Sequence, residues 1–258
     1  MNAAEKNANQ RNSMEKARTP GIDAQRKFWD WHWQHWQERR TLNEWTAWRA
    51  EVMLDIIRSL GLERPKFLDL GCGRGWFTAR LAELGEATGV DLSPDAIAAA
   101  RSEYPGIEFL SGNLYEATLP VEHFDLVVSQ EVIAHVEDQN RYVARAADAL
   151  RPGGYFIVST GNKFVMDRLG DVGWNVHPPD HIERELGMKG LKKLLRPRFN
   201  VLRSRTIIPL GHVGILRMVN SAKLNAALGL LIPPRHLEAF KEKAGLGYQM
   251  IVLAQRRA

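Results

Sequence analysis

Three glycines, at 71, 73 and 75, follow an aspartate in FLDLGCGRGW, and twenty residues beyond Gly71 a second aspartate, Asp91, closes another apolar run in GVDLSP. Glycine lets a backbone turn with positive φ and come close to a ligand, so the loop reads as a cradle. A dinucleotide site would want its third glycine where Trp76 stands, so that pyrophosphate meets a helix N-terminus. The spacing G-x-G-x-G after Asp69 suits instead a cofactor without pyrophosphate, whose amino acid portion packs on the loop. Asp91 stands where a carboxylate accepts both hydroxyls of a ribose. Capping a helix is the other use for it, but Ser93 before Pro94 fills that role better. Asn113, in SGNLY, carries an amide that both donates and accepts, as an adenine edge requires.

After the fourth apolar run come Ser129-Gln130-Glu131 and then His135. A histidine titrates near neutrality and is the natural acceptor of a proton from a reacting group. His135 has a plainer alternative use, a structural hydrogen bond at the start of a helix. The stretch FWDWHWQHW, residues 28–36, holds four of the chain's eight tryptophans. On a helix Trp29, Trp33 and Trp36 share one face and Trp31 turns elsewhere. Such a face is either a wall buried on the sheet, at roughly 1.5 to 3 kcal/mol per ring, or a lid.

These residues need a scaffold, and the pattern between 67 and 160 supplies one. FLDL precedes WFTARLAEL, ATGVDL precedes PDAIAAARSEY, IEFL follows, FDLVVS precedes a long helix near 138–150, and GYFIVST closes the series. Short apolar runs alternating with helices signify βαβ units and a doubly wound α/β sheet. Arg151-Pro152-Gly153-Gly154 reads as a turn before Tyr155. Beyond Thr160 come a loop with Trp174 and HPPDH, a helix GMKGLKKLL, and the strands NVLRSRTII and YQMIVLAQR. Between those strands Ile215, Met218, Val219, Ala222, Ala226 and Leu230 recur three or four apart, which predicts one amphipathic helix.

With 258 residues, 45% apolar and 25% charged, one sizeable core is expected. The expected organisation is a mobile tail over 1–24, a helical lid over 25–62, a cofactor-binding core over 63–160, and a remainder of the same domain over 161–258. That remainder includes a helical insertion, 206–245, expected to cover a substrate. A single cysteine excludes an internal disulfide, no apolar run reaches the length of a membrane span, and the tail carries no secretory signal. A cytoplasmic protein is the expectation. Residues 161–258 hold 17 Lys and Arg against 7 Asp and Glu. That field favours an anionic partner, or simply keeps the surface solvated.

Together LDLGCGRG, GVDLSP, FDLVVSQEVIAHVED and LRPGG resemble the class I S-adenosylmethionine-dependent methyltransferases in order and spacing, over about residues 28–160. Within that class the chain looks most like the ubiquinone-biosynthesis O-methyltransferases and related small-molecule enzymes. The resemblance implies a Rossmann-like, mostly parallel sheet of seven strands and S-adenosyl-L-methionine as cofactor. It further implies that Trp29-Asp30 and Arg49 belong to an N-terminal segment whose arginine holds the cofactor carboxylate. Asp69, Gly71 and Gly73 would line the methionine portion, Asp91 and Leu92 the ribose, Asn113 and Leu114 the adenine, and Gln130 would sit over the loop. Asn113 departs from the aspartate common at that position. His181 is implied as a second candidate base, because related enzymes often place a histidine of this loop over the active site.

Some relatives carry a metal site of pattern E-x-x-E-H. Here the run is Glu131-Val132-Ile133-Ala134-His135, without the second carboxylate, and two ligands fall short of what hard cations want unless His177 or His181 joins them. No metal is expected. The expected reaction is methyl transfer to a hydroxyl of a small molecule, hydrophobic or anionic. The alternatives are an RNA methyltransferase, against which stands the lack of alternating aromatic and basic residues, and a non-catalytic cofactor-binding partner subunit. The apolar face of the insertion is expected to pack on the protein's own sheet edge, the alternative being weak contact with an anionic membrane surface or a prenylated substrate.

Overall fold

The computed structural model describes residues 20–36, 44–169, 181–211, 213–230 and 232–257, the side chain of Trp36 excepted. Most of the predicted tail, Trp174 and His177 lie outside them.

Two helices lead, α1 (Ile22–Trp36) and α2 (Glu44–Arg58). The alternating core follows: β1 (Lys66–Leu70), α3 (Trp76–Ala82), β2 (Glu86–Asp91), α4 (Pro94–Glu103), β3 (Glu108–Ser111), β4 (Phe124–Gln130), α5 (Gln139–Ala149) and β5 (Leu150–Gly161). Then come α6 (Lys163–Met166), α7 (Met188–Leu195), β6 (Phe199–Pro209), α8 (Ile215–Val219), α9 (Ala222–Gly229), α10 (Pro234–Lys243) and β7 (Gly247–Arg256). The seven strands form one sheet in the order β3-β2-β1-β4-β5-β7-β6, parallel except for β7, which runs against both neighbours. The chain winds outward from β1 to β3 and returns to β4 beside β1, which opens a crevice at the carboxyl ends of these strands.

Both faces of the sheet are buried, which is why its strands read as continuous apolar runs. Side chains alternate between two cores. Phe67, Leu126, Val128 and Ile157 join Met53 and Leu54 of α2 and Phe77 and Leu81 of α3. Leu68, Val127, Phe156 and Val158 face Tyr142 of α5 and Leu191 of α7. A smaller cluster, Ile97, Ala100, Phe109 and Cys72, seats α4. Ser93 caps α4 as its sequence predicts, its hydroxyl accepting from the Ala96 N–H at 3.1 Å with Pro94 at the first helical position.

Four local readings of the sequence change. The first helix begins at Ile22, inside the stretch expected as tail, because Gln25 is buried there and accepts from the Ile182 N–H. Residues 151–154 are not a turn between elements. β5 starts at Leu150, and its ladder with β4 shifts between Leu150 and Tyr155, so the four residues bulge, with Gly153 at φ +76°. The insertion begins after Pro209 rather than at 206, since Thr206, Ile207 and Pro209 pair with β7. The single amphipathic helix over 215–230 is two helices broken at Asn220-Ser221, where the Ser221 hydroxyl caps α9. The residue that anchors α8 is Leu216, fully buried, while Ile215 and Met218 are exposed.

Candidate active site

The crevice at the ends of β1, β2 and β4 is a cavity of about 1400 Å³. Nine of the eleven cofactor-binding and catalytic candidates line it: Arg49, Asp69, Gly71, Asp91, Leu92, Asn113, Leu114, Gln130 and His135. Gly73 and His181 are not among the lining residues. Among the described residues, none of 206–245 lines this cavity.

The glycine loop is built for close approach. Gly71, Gly73 and Gly75 have φ of +79°, +54° and +79°, a region side chains rarely adopt. A Cβ on Gly71 would fall 2.2 Å from Val132 Cγ2, and one on Gly73 would fall 2.4 Å from Trp33 Cζ2. The Asp91 carboxylate ties the loop to the end of β2, with one oxygen accepting from the Gly73 N–H at 2.8 Å and the other from the Ser93 N–H at 2.9 Å. Burial raises its pKa, the Ser93 and Gly73 N–H groups oppose the rise, and nearby Asp30 adds to it. Asp69 is also buried and accepts from the Thr78 hydroxyl at 2.7 Å. Burial pushes its carboxyl up to about 7, against the pull of Thr78 and with help from Asp91. Cys72, the lone cysteine, is held as a thiol by burial and by these carboxylates.

Across the cavity Arg49 of α2 donates to Gln130 Oε1 at 3.3 Å and lies 3.8 Å from Glu131. Glu131 sits at φ +58°, held by the Ser159 hydroxyl and the Gln249 amide, each at 3.1 Å. Both of its oxygens are thus engaged at the end of β4, while the residue also lines the cavity. Among the described residues no three His, Cys, Asp or Glu side chains converge to hold a metal ion. Asn113 uses its amide oxygen on the Tyr115 N–H at 3.0 Å, so its NH2 is the half that can meet a ligand.

His135 lies in a short 3₁₀ turn after β4, at the cavity wall. Its Nδ1 is 2.9 Å from the Ile182 carbonyl, and a carbonyl only accepts, so Nδ1 carries the hydrogen and the neutral ring's basic nitrogen is Nε2. The His181 ring packs 4.6 Å from His135, 4.4 Å from Phe28 and 5.7 Å from Trp29, centroid to centroid. It backs His135 rather than facing the cavity. Sequence reasoning passed over His32, which lines the cavity beside Trp29 and Trp33. Burial pushes its ring down to about 4, with His135 acting in the same direction. Its signal was present, since it lies one turn after Trp29 on the face credited to the tryptophans alone.

The tryptophan helix docks through polar contacts as well as rings. Asp30 accepts from the Ser93 hydroxyl at 2.5 Å, and Gln34 donates to Asp95 at 2.7 Å, both at the start of α4. Trp29 packs edge-on against His135 at 5.3 Å, and Trp31 is 51% exposed, turned away as its spacing predicts.

A doubly wound sheet with only β7 reversed, a glycine cradle after β1 and an acidic residue closing β2 are similar to the arrangement of the class I S-adenosylmethionine-dependent methyltransferases. Residues 68–158 match the family described as "Methyltransferase domain". A probable S-adenosylmethionine-dependent methyltransferase of Mycolicibacterium smegmatis is 36% identical over 129 residues, half of this chain and 49% of that protein. A ubiquinone biosynthesis O-methyltransferase of Cereibacter sphaeroides is 35% identical over 119 residues, 44% of this chain and 48% of that protein. The chain spans about half the length of the curated relatives it matches. The fold recurs in a solved structure from Pyrococcus horikoshii, with a TM-score of 0.60 at 21% identity over 84% of this chain and 93% of that one.

Proposed function

We propose that the chain transfers the methyl group of S-adenosyl-L-methionine to a hydroxyl of a small hydrophobic or anionic molecule by in-line displacement. The observation that carries this reading is the placement of His135, its Nδ1 committed to a carbonyl, on the wall of the cavity that the glycine cradle and Asp91 also line. The cradle fits the cofactor, because two of its glycines stand where a Cβ would collide with Val132 or Trp33, and Asp91 brings a buried carboxylate to the rim.

When bound, the cofactor supplies a sulfonium methyl, an electrophile needing alignment more than activation. Asp91 and Leu92 would hold the ribose, the Asn113 NH2 and Leu114 would border the adenine, and Arg49 would pair with the carboxylate. Asp69, Gly71 and Gly73 would line the methionine portion, and Gln130 accepts from Arg49. Nε2 of His135 takes the hydroxyl proton as the acceptor oxygen attacks. Trp29, His32 and Trp33 keep water from that side. The O-methyltransferase among the relatives supports an oxygen acceptor. The decisive experiment supplies labelled cofactor with a metabolite extract and, separately, with total RNA, followed by mass spectrometry of the labelled product. Label in RNA alone would favour the reading suggested by the basic back third, and label in neither would overturn catalysis.

A further inference from the structure

The insertion between β6 and β7 is where the molecule exposes its apolar side chains. Among the described residues, seven of the thirteen exposed large hydrophobics lie between 213 and 240, led by Leu230 at 87%, Phe240 at 67% and Met218 at 60%. Helix α9 buries none of its residues and packs on α8 and α10, so it reaches the sheet through α10, which packs on β6. Leu230 and Ile232, between α9 and α10, are both exposed.

The charges of the same segment are one-sided. Its two carboxylates are spent locally, Glu238 on Lys241 at 2.7 Å and Glu242 on Arg205 at 2.6 Å. Arg217, Lys223, Arg235 and Lys243 form ion pairs with none of the described carboxylates. On α10, His236, Phe240 and Lys243 recur four and three apart, which sets an exposed ring between basic groups on one face. Apolar tips among unneutralised cations complement a surface that is negative at its headgroups and apolar beneath. No described helix is long and apolar enough to cross a membrane, so such contact is peripheral. Among the described residues, none of this segment lines the cavity.

We infer that the insertion docks on an anionic lipid surface, with Met218, Leu230 and Phe240 entering the headgroup layer and Arg217, Lys223, Arg235 and Lys243 meeting lipid phosphates.

The test is flotation of the full chain with phosphatidylcholine vesicles, with and without about one-third phosphatidylglycerol. The parent should float with the anionic vesicles at least about tenfold better than with neutral ones, and added salt should release it. Leu230→Glu and Phe240→Glu, exposed sites where the fold is indifferent, should abolish flotation while circular dichroism stays unchanged. Arg217→Glu should weaken it about tenfold. Equal flotation with both vesicles, or none with either, overturns the inference. So does a concentration-dependent dimer that the same substitutions dissolve in the absence of flotation, which would assign the face to a second copy. Because the readout is binding to vesicles, the outcome is independent of whether methyl transfer is found.

Discussion

Replacing Asp91 separates a ligand-binding role from a structural one. Its carboxylate accepts from the Gly73 and Ser93 N–H groups at 2.8 and 2.9 Å while lining the cavity. Asp91→Ala orphans both donors, at about 1 to 3 kcal/mol each, offset in part because a costly buried charge also disappears. The loss of stability should therefore be near the lower end, about 1 to 3 kcal/mol. Affinity for the cofactor falls further. Two ribose hydroxyls lose charge-assisted bonds of about 1.5 to 3 kcal/mol each, which puts the dissociation constant up by about a hundredfold or more. Asp91→Asn keeps one acceptor oxygen and turns an NH2 toward the second donor, so it should lie between parent and Asp91→Ala in affinity. Isothermal calorimetry with S-adenosyl-L-methionine, beside urea unfolding of each variant, measures both. A folded Asp91→Ala protein that binds within threefold of the parent would refute the ribose assignment.

Asp69 gives a pH signature. Its folded carboxyl keeps its proton to about pH 7, whereas an ordinary one loses it near 3.8, so folding takes up a proton between those values. Stability should fall as pH rises through that window, by roughly 4 kcal/mol at most, and level off above it. Asp69→Asn should flatten this slope in urea titrations from pH 4 to 8, and an unaltered slope would sink the assignment. Gly73→Ala adds a Cβ at φ +54° and 2.4 Å from the Trp33 ring, so it should cost about 1 to 2 kcal/mol in backbone strain and lower cofactor affinity. Gly73→Ala with Trp33→Leu should recover part of the affinity, and no recovery would mean that the ring is not the obstacle. His135→Ala should lower kcat by about a hundredfold or more while the cofactor dissociation constant stays within a few fold. Normal turnover would shift the proton to His32 or to no base at all.

What the sequence made legible follows from where its signals are local. Glycines that need positive φ, a serine-proline cap and apolar runs buried on both faces are written residue by residue, and the cradle, the capped α4 and the sheet follow from them. What escaped depends on contacts distant in sequence. His32 enters the site because α1 crosses the crevice, and Glu131 is turned to positive φ by partners on β5 and β7. The break at Asn220-Ser221 was local and still missed, because apolar periodicity was allowed to run through a serine that caps. The bulge at 151–154 satisfies the same proline and glycine chemistry as a turn, and only pairing with β4 tells them apart.

The tryptophan-rich helix presents a choice between wall and lid, and its contacts argue against a wall alone. A wall would spend its rings on the sheet's apolar side chains, yet Trp29, His32 and Trp33 of α1 line the cavity. Trp33 stands on Gly73 of the cradle, Asp30 holds the Ser93 hydroxyl beside Asp91, and Trp29 packs against His135. One helix thus touches the loop after β1, the cap after β2 and the histidine after β4, adding to the tie that Asp91 makes between the first two. Any shift of α1 must disturb all three contacts together. A substitution on α1 should then change cofactor affinity and turnover jointly, whereas a change confined to His135 should separate them.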